Sequence, residues 1–188
     1  MAIKIFIDQG HNPVNPNAGA EAFGYREQDI NYEVGVRLAA LLDADPNFEA
    51  KLSRNSPTEQ LGTSTSTSLQ TRVNMANEWG ADFFISLHCN YNDNPAISGS
   101  EAYVYSLYSE AYNMAYQILL GLYYFTQLTN RGIMENQRLY VLRATDMPSV
   151  LVEMGYMSNP TDIKLLTTDP QSFAKGIYYG IRFYYGVK

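Results

Sequence analysis

Apolar residues fall along the chain in short runs that alternate with helical stripes. Ile3, Ile5, Phe6 and Ile7 form a run that stops before Gly10, which predicts a buried strand over Ala2–Asp8. From Gly10 to Gly24 the composition turns to Asn, Pro, Gly and Ala, a loop signal. Ile30, Val34, Leu38 and Leu41 recur at intervals of 4, 4 and 3, so an amphipathic helix is expected from about Glu27 to Asp43. Phe48–Leu52 reads as a short strand, followed by a long polar loop that carries the Thr/Ser run 63–68. That low-complexity run is expected to be a mobile segment or a cap for the next helix. Leu69, Val73, Ala76 and Trp79 then predict a helix over Leu69–Trp79, with Gly80 as its C-cap.

The second half repeats the alternation. Residues 81–88 form an apolar strand pattern ending at His88, and Ala102 and Val104 alternate with Tyr103 and Tyr105 in a strand over Gly99–Tyr105. A helix follows from Glu110 to Gln127, with Ala111, Met114, Ala115, Ile118, Leu119 and Leu122 on its apolar face. Tyr140–Leu142 is short and apolar, and Ser149–Glu153 is a β-branched run that ends in a carboxylate. Asn159-Pro160 and Asp169-Pro170 each place a capping residue before a helix-starting proline. The last helix carries Phe173, Ile177, Ile181 and Tyr184 on one stripe. Strands alternating with helices in this order predict an α/β domain with a largely parallel sheet. No internal repeat or linker divides the chain, so residues 1–188 are expected to form one domain.

Composition narrows the function classes. At 188 residues and 46% hydrophobic the chain can bury one sizeable core. Its net charge of −6 disfavours nucleic-acid binding, which needs a basic face to neutralise phosphates. No apolar run approaches the roughly 20 residues of a membrane span, and no signal-peptide pattern opens the chain. The single cysteine, Cys89, excludes an internal disulfide. Sixteen tyrosines suggest core stripes first; the pairs Tyr178-Tyr179 and Tyr184-Tyr185 cannot both face inward, which leaves a partner or oligomer surface open.

The scarcest residue type carries the chemistry. The chain has 2 histidines, His11 and His88, and each stands at the end of an apolar strand run. Ligands of parallel α/β sheets bind beyond the carboxyl ends of strands. Glu153 ends a third such run, and Glu27 lies in the first turn of the helix that follows the first strand, so all four converge on one edge by topology. Two imidazoles and one carboxylate make a three-ligand zinc site with a position left for water, and the other carboxylate is free to act as general base and acid. Blander roles compete at each position: a helix-dipole or capping role for Glu27, and an ion pair with Arg143 for Glu153. Cys89 should face away from the site, because neighbouring side chains in a strand point to opposite faces.

Four stretches in order, Asp8-Gln9-Gly10-His11, Arg26-Glu27-Gln28-Asp29-Ile30-Asn31, Ser86-Leu87-His88-Cys89-Asn90 and Leu151 through Asn159, resemble the zinc-dependent N-acetylmuramoyl-L-alanine amidases of the type-3 family. The likeness extends to Leu52-Ser53-Arg54, Gly99-Ser100-Glu101 and Tyr140 through Pro148, and so spans essentially the whole chain. It implies a twisted, mostly parallel sheet of about six strands with helices on both faces. It also implies one zinc ion held by His11, Glu27 and His88, with Glu153 as catalytic acid/base. The implied activity is hydrolysis of the amide between N-acetylmuramic acid and L-alanine in peptidoglycan, at the bacterial cell wall, with a wall-targeting domain or partner possible. Asn90 and Arg143 stand near the site by sequence as candidate substrate contacts. The chain departs from the family pattern at Gln9, Asn12 and Cys89, which touches loop shape and substrate preference. Another zinc amide hydrolase, such as a peptidase or deacetylase, and a non-catalytic wall-binding module remain competing readings.

Overall fold

The computed structural model describes residues 2–187. The elements in chain order are β1 (Ile3–Gln9), β2 (Glu21–Ala22), β3 (Tyr25–Arg26), α1 (Glu27–Asp43), β4 (Phe48–Leu52), α2 (Thr65–Trp79) and β5 (Phe83–Asn90). They continue with β6 (Ser100–Val104), α3 (Glu110–Thr126), β7 (Asn130–Glu135), α4 (Tyr140–Arg143), β8 (Ser149–Tyr156), α5 (Pro160–Thr168) and α6 (Pro170–Tyr184). Six strands make the main sheet in the order β4-β1-β5-β8-β6-β7, and β2-β3 is a small separate hairpin. β4, β1, β5 and β8 pair in parallel. β6 runs antiparallel to β8 and parallel to β7, so the pair at one edge is reversed. The sheet is therefore mostly parallel and α/β. From β1 the chain moves outward through α1 to β4 and returns through α2 to β5 on the other side of β1. The border between β1 and β5 is thus a topological switch point, where a crevice opens beyond the strand ends.

Strand alternation assigns each residue to a layer. Ile5, Ile7, Phe83, Ile85, Leu87, Val150 and Val152 point into the larger core, covered by α1, α3, α5 and α6. Phe6, Phe84 and Leu151 point to the other face, against Val73 and Ala76 of α2 and Val141 and Leu142 of α4. Each such side chain removed from water contributes roughly 1.5–3 kcal/mol, so the in/out pattern pins the register of the sheet. Toward the strand ends the α2/α4 face of the sheet turns polar. On that face Asp8 is level with Ser86 across β1 and β5, His88 with Glu153 across β5 and β8, and Glu153 with Glu101 across β8 and β6.

Local structure adds to the sequence-based expectation in three places. Of the two roles open to the Thr/Ser run, it takes that of a helix cap, and α2 begins at Thr65, four residues before the apolar stripe. Ser64 is its N-cap and accepts from the main-chain nitrogen of Thr67, while the Thr67 side chain closes a reciprocal capping box. β7 has no strand signature, because Ile133 and Met134 are its only aliphatic residues and Gly132 sits at φ 93°. Tyr140–Arg143 is one helical turn. No helix among the described residues is long and apolar enough to cross a membrane.

Candidate active site

β1 ends at Gln9, and the next residues turn sharply across the sheet edge. A Cβ at Gly10 would lie 2.4 Å from Nε2 of His88 and 2.6 Å from the main-chain oxygen of Leu87, so only glycine lets the chain pass the second imidazole. His11 follows at φ 70°, a left-handed conformation that costs a non-glycine residue energy unless its surroundings hold it there. Arg72 of α2 is what holds it. This guanidinium is 1% exposed; it donates from Nη2 to the His11 carbonyl at 2.5 Å and from Nη1 to the Gln9 carbonyl at 2.8 Å. Its charge is balanced by Asp8, which receives Nη1 at 2.5 Å and the Ser86 hydroxyl at 2.8 Å. Burial alone would raise the Asp8 pKa, but the Arg72 charge and these hydrogen bonds hold it below the ordinary aspartate value.

Glu27 is the first residue of α1 and does not cap its own helix. Its Oε2 accepts from the main-chain nitrogen of Ala20 at 2.9 Å, and its Oε1 from that of Cys89 at 3.1 Å. The same Oε1 lies 3.1 Å from Nε2 of His11 and 3.0 Å from Nδ1 of His88. The two imidazoles stand edge to face, with centroids 4.8 Å apart. One ligand atom from each of His11, Glu27 and His88 thus falls within 4.8 Å of the others. Burial pushes the Glu27 pKa up, but its hydrogen bonds to both imidazoles win, leaving it well below the carboxylate range.

Glu153 stands beside His88 across the β5–β8 pairing. Its Oε2 is buried with no hydrogen-bond partner among the described residues. Burial first, then the negative charges of Glu27 and Glu101, raise its pKa well above the ordinary value. No ion pair joins it to Arg143 among the described residues; Arg143 is exposed, with its guanidinium 5.7 Å from the Tyr140 ring centroid. Cys89 packs in the larger core, its Sγ 3.5 Å from Oδ1 of Asn31, and burial raises its thiol pKa. Asn90 donates from Nδ2 to Oε1 of Glu101 at 2.7 Å and accepts from the Tyr91 nitrogen at 2.8 Å, so both ends of its amide are engaged within the protein.

A model of the N-acetylmuramoyl-L-alanine amidase family matches residues 5–182. This chain belongs to that family. N-acetylmuramoyl-L-alanine amidase LytC of Bacillus subtilis (strain 168) is 35% identical over 164 residues, covering 86% of this chain and 31% of LytC. CwlM of Bacillus licheniformis, another N-acetylmuramoyl-L-alanine amidase, is 32% identical over 184 residues, covering 95% of this chain and 67% of CwlM. The chain thus spans about a third of the first of these relatives and about two thirds of the second. Among solved structures, the catalytic domain of CwlV, an N-acetylmuramoyl-L-alanine amidase from Bacillus (Paenibacillus) polymyxa var. colistinus, superposes with a TM-score of 0.86 at 30% identity, covering 99% of both chains. Amidase AmiC2 of Nostoc punctiforme gives a TM-score of 0.85 at 31% identity, over 98% of this chain and 97% of that one.

Within this amidase fold, one feature of the site escaped the sequence reading. Glu101 is 5% exposed and accepts four side-chain donors: Asn90 Nδ2, the hydroxyls of Tyr103 and Tyr156 at 2.9 Å each, and Nε of Arg131 at 3.1 Å. It stands opposite Glu153 across the β6–β8 pairing. The available signal was an acid at a position of β6 that alternates with apolar Ala102, but only the pairing of β6 with β8 says which residue that acid faces.

Proposed function

We propose that this chain is a zinc-dependent peptidoglycan hydrolase that cleaves the amide between N-acetylmuramic acid and L-alanine. The observation that carries the reading is the convergence of His11 Nε2 and His88 Nδ1 on one oxygen of Glu27, with Glu153, whose Oε2 has no partner among the described residues, beside His88. Two nitrogens and one oxygen suit a catalytic zinc ion, which takes three protein ligands and leaves one position open. The donor set fits: both imidazoles direct a nitrogen to the same point, and the carboxylate between them stays ionised. When bound, zinc supplies Lewis acidity, which eases deprotonation of water and draws electron density from a carbonyl oxygen.

The chain's own residues then do the rest. Glu27 is held by the main-chain nitrogens of Ala20 and Cys89, so its orientation is set before any ligand arrives. Glu153 takes the proton from the attacking water as the new carbon–oxygen bond forms at the acyl carbon. It returns that proton to the alanine nitrogen as the carbon–nitrogen bond breaks, leaving a lactyl carboxylate and a free amino terminus. Asn90 acts on this site through Glu101, whereas exposed Arg143 is free to meet an anionic group of the peptide or glycan.

The site of action on this reading is the cell wall. The test is metal analysis together with release of peptide from purified peptidoglycan. New N-terminal L-alanine is the expected product; released acetate, or no release with stoichiometric zinc present, would overturn the assignment.

A further inference from the structure

A cavity of about 110 Å³ opens between the His11 and His88 imidazoles and the thin α2/α4 layer. Its apolar wall is Leu69 of α2, the Leu139-Tyr140-Val141 stretch at the start of α4, and Leu151 of β8. Leu151 lies two residues before Glu153 on the same face of β8, and the cavity itself adjoins the proposed metal ligands His11 and His88. Three polar residues also line it, and their groups are already committed. Asp8 is taken by Arg72 and Ser86, Arg72 is spent on Asp8 and the carbonyls of Gln9 and His11, and the Asn17 amide donates to Ser68 at 3.1 Å. A polar group placed there would give up its bonds to water for a largely apolar wall.

Size limits the occupant further. A water molecule takes about 30 Å³ of liquid, and an engineered cavity of about 150 Å³ is what admits benzene. A space of about 110 Å³ therefore suits an alkyl group of one to a few carbons.

We propose that this cavity is a selectivity pocket for a small alkyl substituent next to the scissile amide, and that Leu139 and Leu151 set its upper size. The proposal rests on the amidase reading. On that reading two methyl groups flank the bond, one on the lactyl acyl side and one on the alanine side, and both have the right chemistry.

Two series of synthetic muramoyl-peptides separate the two sources. One replaces alanine by valine and then phenylalanine; the other lengthens the lactyl methyl to propyl and then benzyl. The zinc-loaded full chain is assayed for kcat/KM on each, alongside Leu151→Ala and Leu139→Ala. Leu139 is half-buried, so its truncation keeps the test alive if Leu151→Ala does not fold. The wild type is expected to discriminate against the larger groups in one series. The enlarged variants are expected to relax that discrimination in the same series by 10–200-fold, the worth of about one methylene in an apolar pocket. Relaxation in the alanine series places the amine-side methyl in the cavity; relaxation in the lactyl series places the acyl-side methyl there. Selectivity ratios unmoved in both series, with the parent substrate still cleaved, overturn the pocket and leave the amidase standing. A wild type that cleaves no muramoyl-alanine bond overturns the amidase reading itself.

Discussion

The Arg72 guanidinium reaches the main-chain oxygen of His11 at 2.5 Å and holds that residue at φ 70°. The ligand loop is therefore shaped from below, by a helix more than fifty residues further along the chain, rather than by its own sequence. Truncation at Arg72→Met should remove this hold and leave Asp8 buried without its counter-charge. The expected result is a loss of about 3–5 kcal/mol of stability for breaking a buried ion pair. Zinc affinity should fall on the order of 10–100-fold, the usual cost of losing support behind a ligand. Chelator competition and thermal unfolding check the two effects separately.

Asp8 gives the pH dependence its sign. Its pKa in the folded chain lies below the ordinary 3.8, so its contribution is present above that value and is lost as pH falls through the folded pKa. Asp8→Asn should be less stable than wild type by about 3–5 kcal/mol at neutral pH. Denaturant titrations from pH 7 downwards should show that gap constant until about pH 4 and closing below it.

Gly10 makes a sharper test of geometry. Alanine there would put its Cβ against the His88 ring and, less tolerantly, against the Leu87 carbonyl at 2.6 Å. The imidazole can swing; the strand backbone cannot without breaking the β1–β5 pairing. Gly10→Ala should therefore lose zinc stoichiometry in metal analysis, and with it activity, even in preparations that remain folded by circular dichroism.

Removing the proposed acid/base separates chemistry from metal binding. Glu153→Gln should keep zinc and lose on the order of 10²–10⁴ in kcat. In the metal-free protein it should also unfold at a higher temperature than wild type at neutral pH, because a carboxyl with a raised pKa opposes folding once the unfolded form ionises. Below about pH 4.5, the ordinary glutamate value, the two proteins should unfold alike. Unchanged kcat in this variant would sink the role assigned to Glu153.

Much of this architecture was legible because it is local. The spacing of Ile30, Val34 and Leu38 writes α1, the apolar runs write β1, β5 and β8, and Asn159-Pro160 and Asp169-Pro170 write the starts of α5 and α6. Pattern failed where the chain's neighbours, not its own residues, decide the conformation. β7 is an edge strand, drawn into the sheet by its pairing with β6 although its sequence is mostly polar. The first turn of α2 is made of Thr and Ser, poor helix formers, and is held by the capping box rather than by an apolar stripe.

The site divides in the same way. Sequence alone determined that two scarce histidines and two acids come to one edge, since strand ends and helix starts of parallel units share that edge. Only the tertiary structure decided how they sit. It set His88, Glu153 and Glu101 in one row across β5, β8 and β6, turned His11 into the left-handed region over Arg72, and left an apolar space beside the imidazoles. The reason is physical: periodicity fixes which face a side chain takes, whereas register, buried charge pairing and the shape of a cavity are properties of strands and helices that meet far apart in the chain.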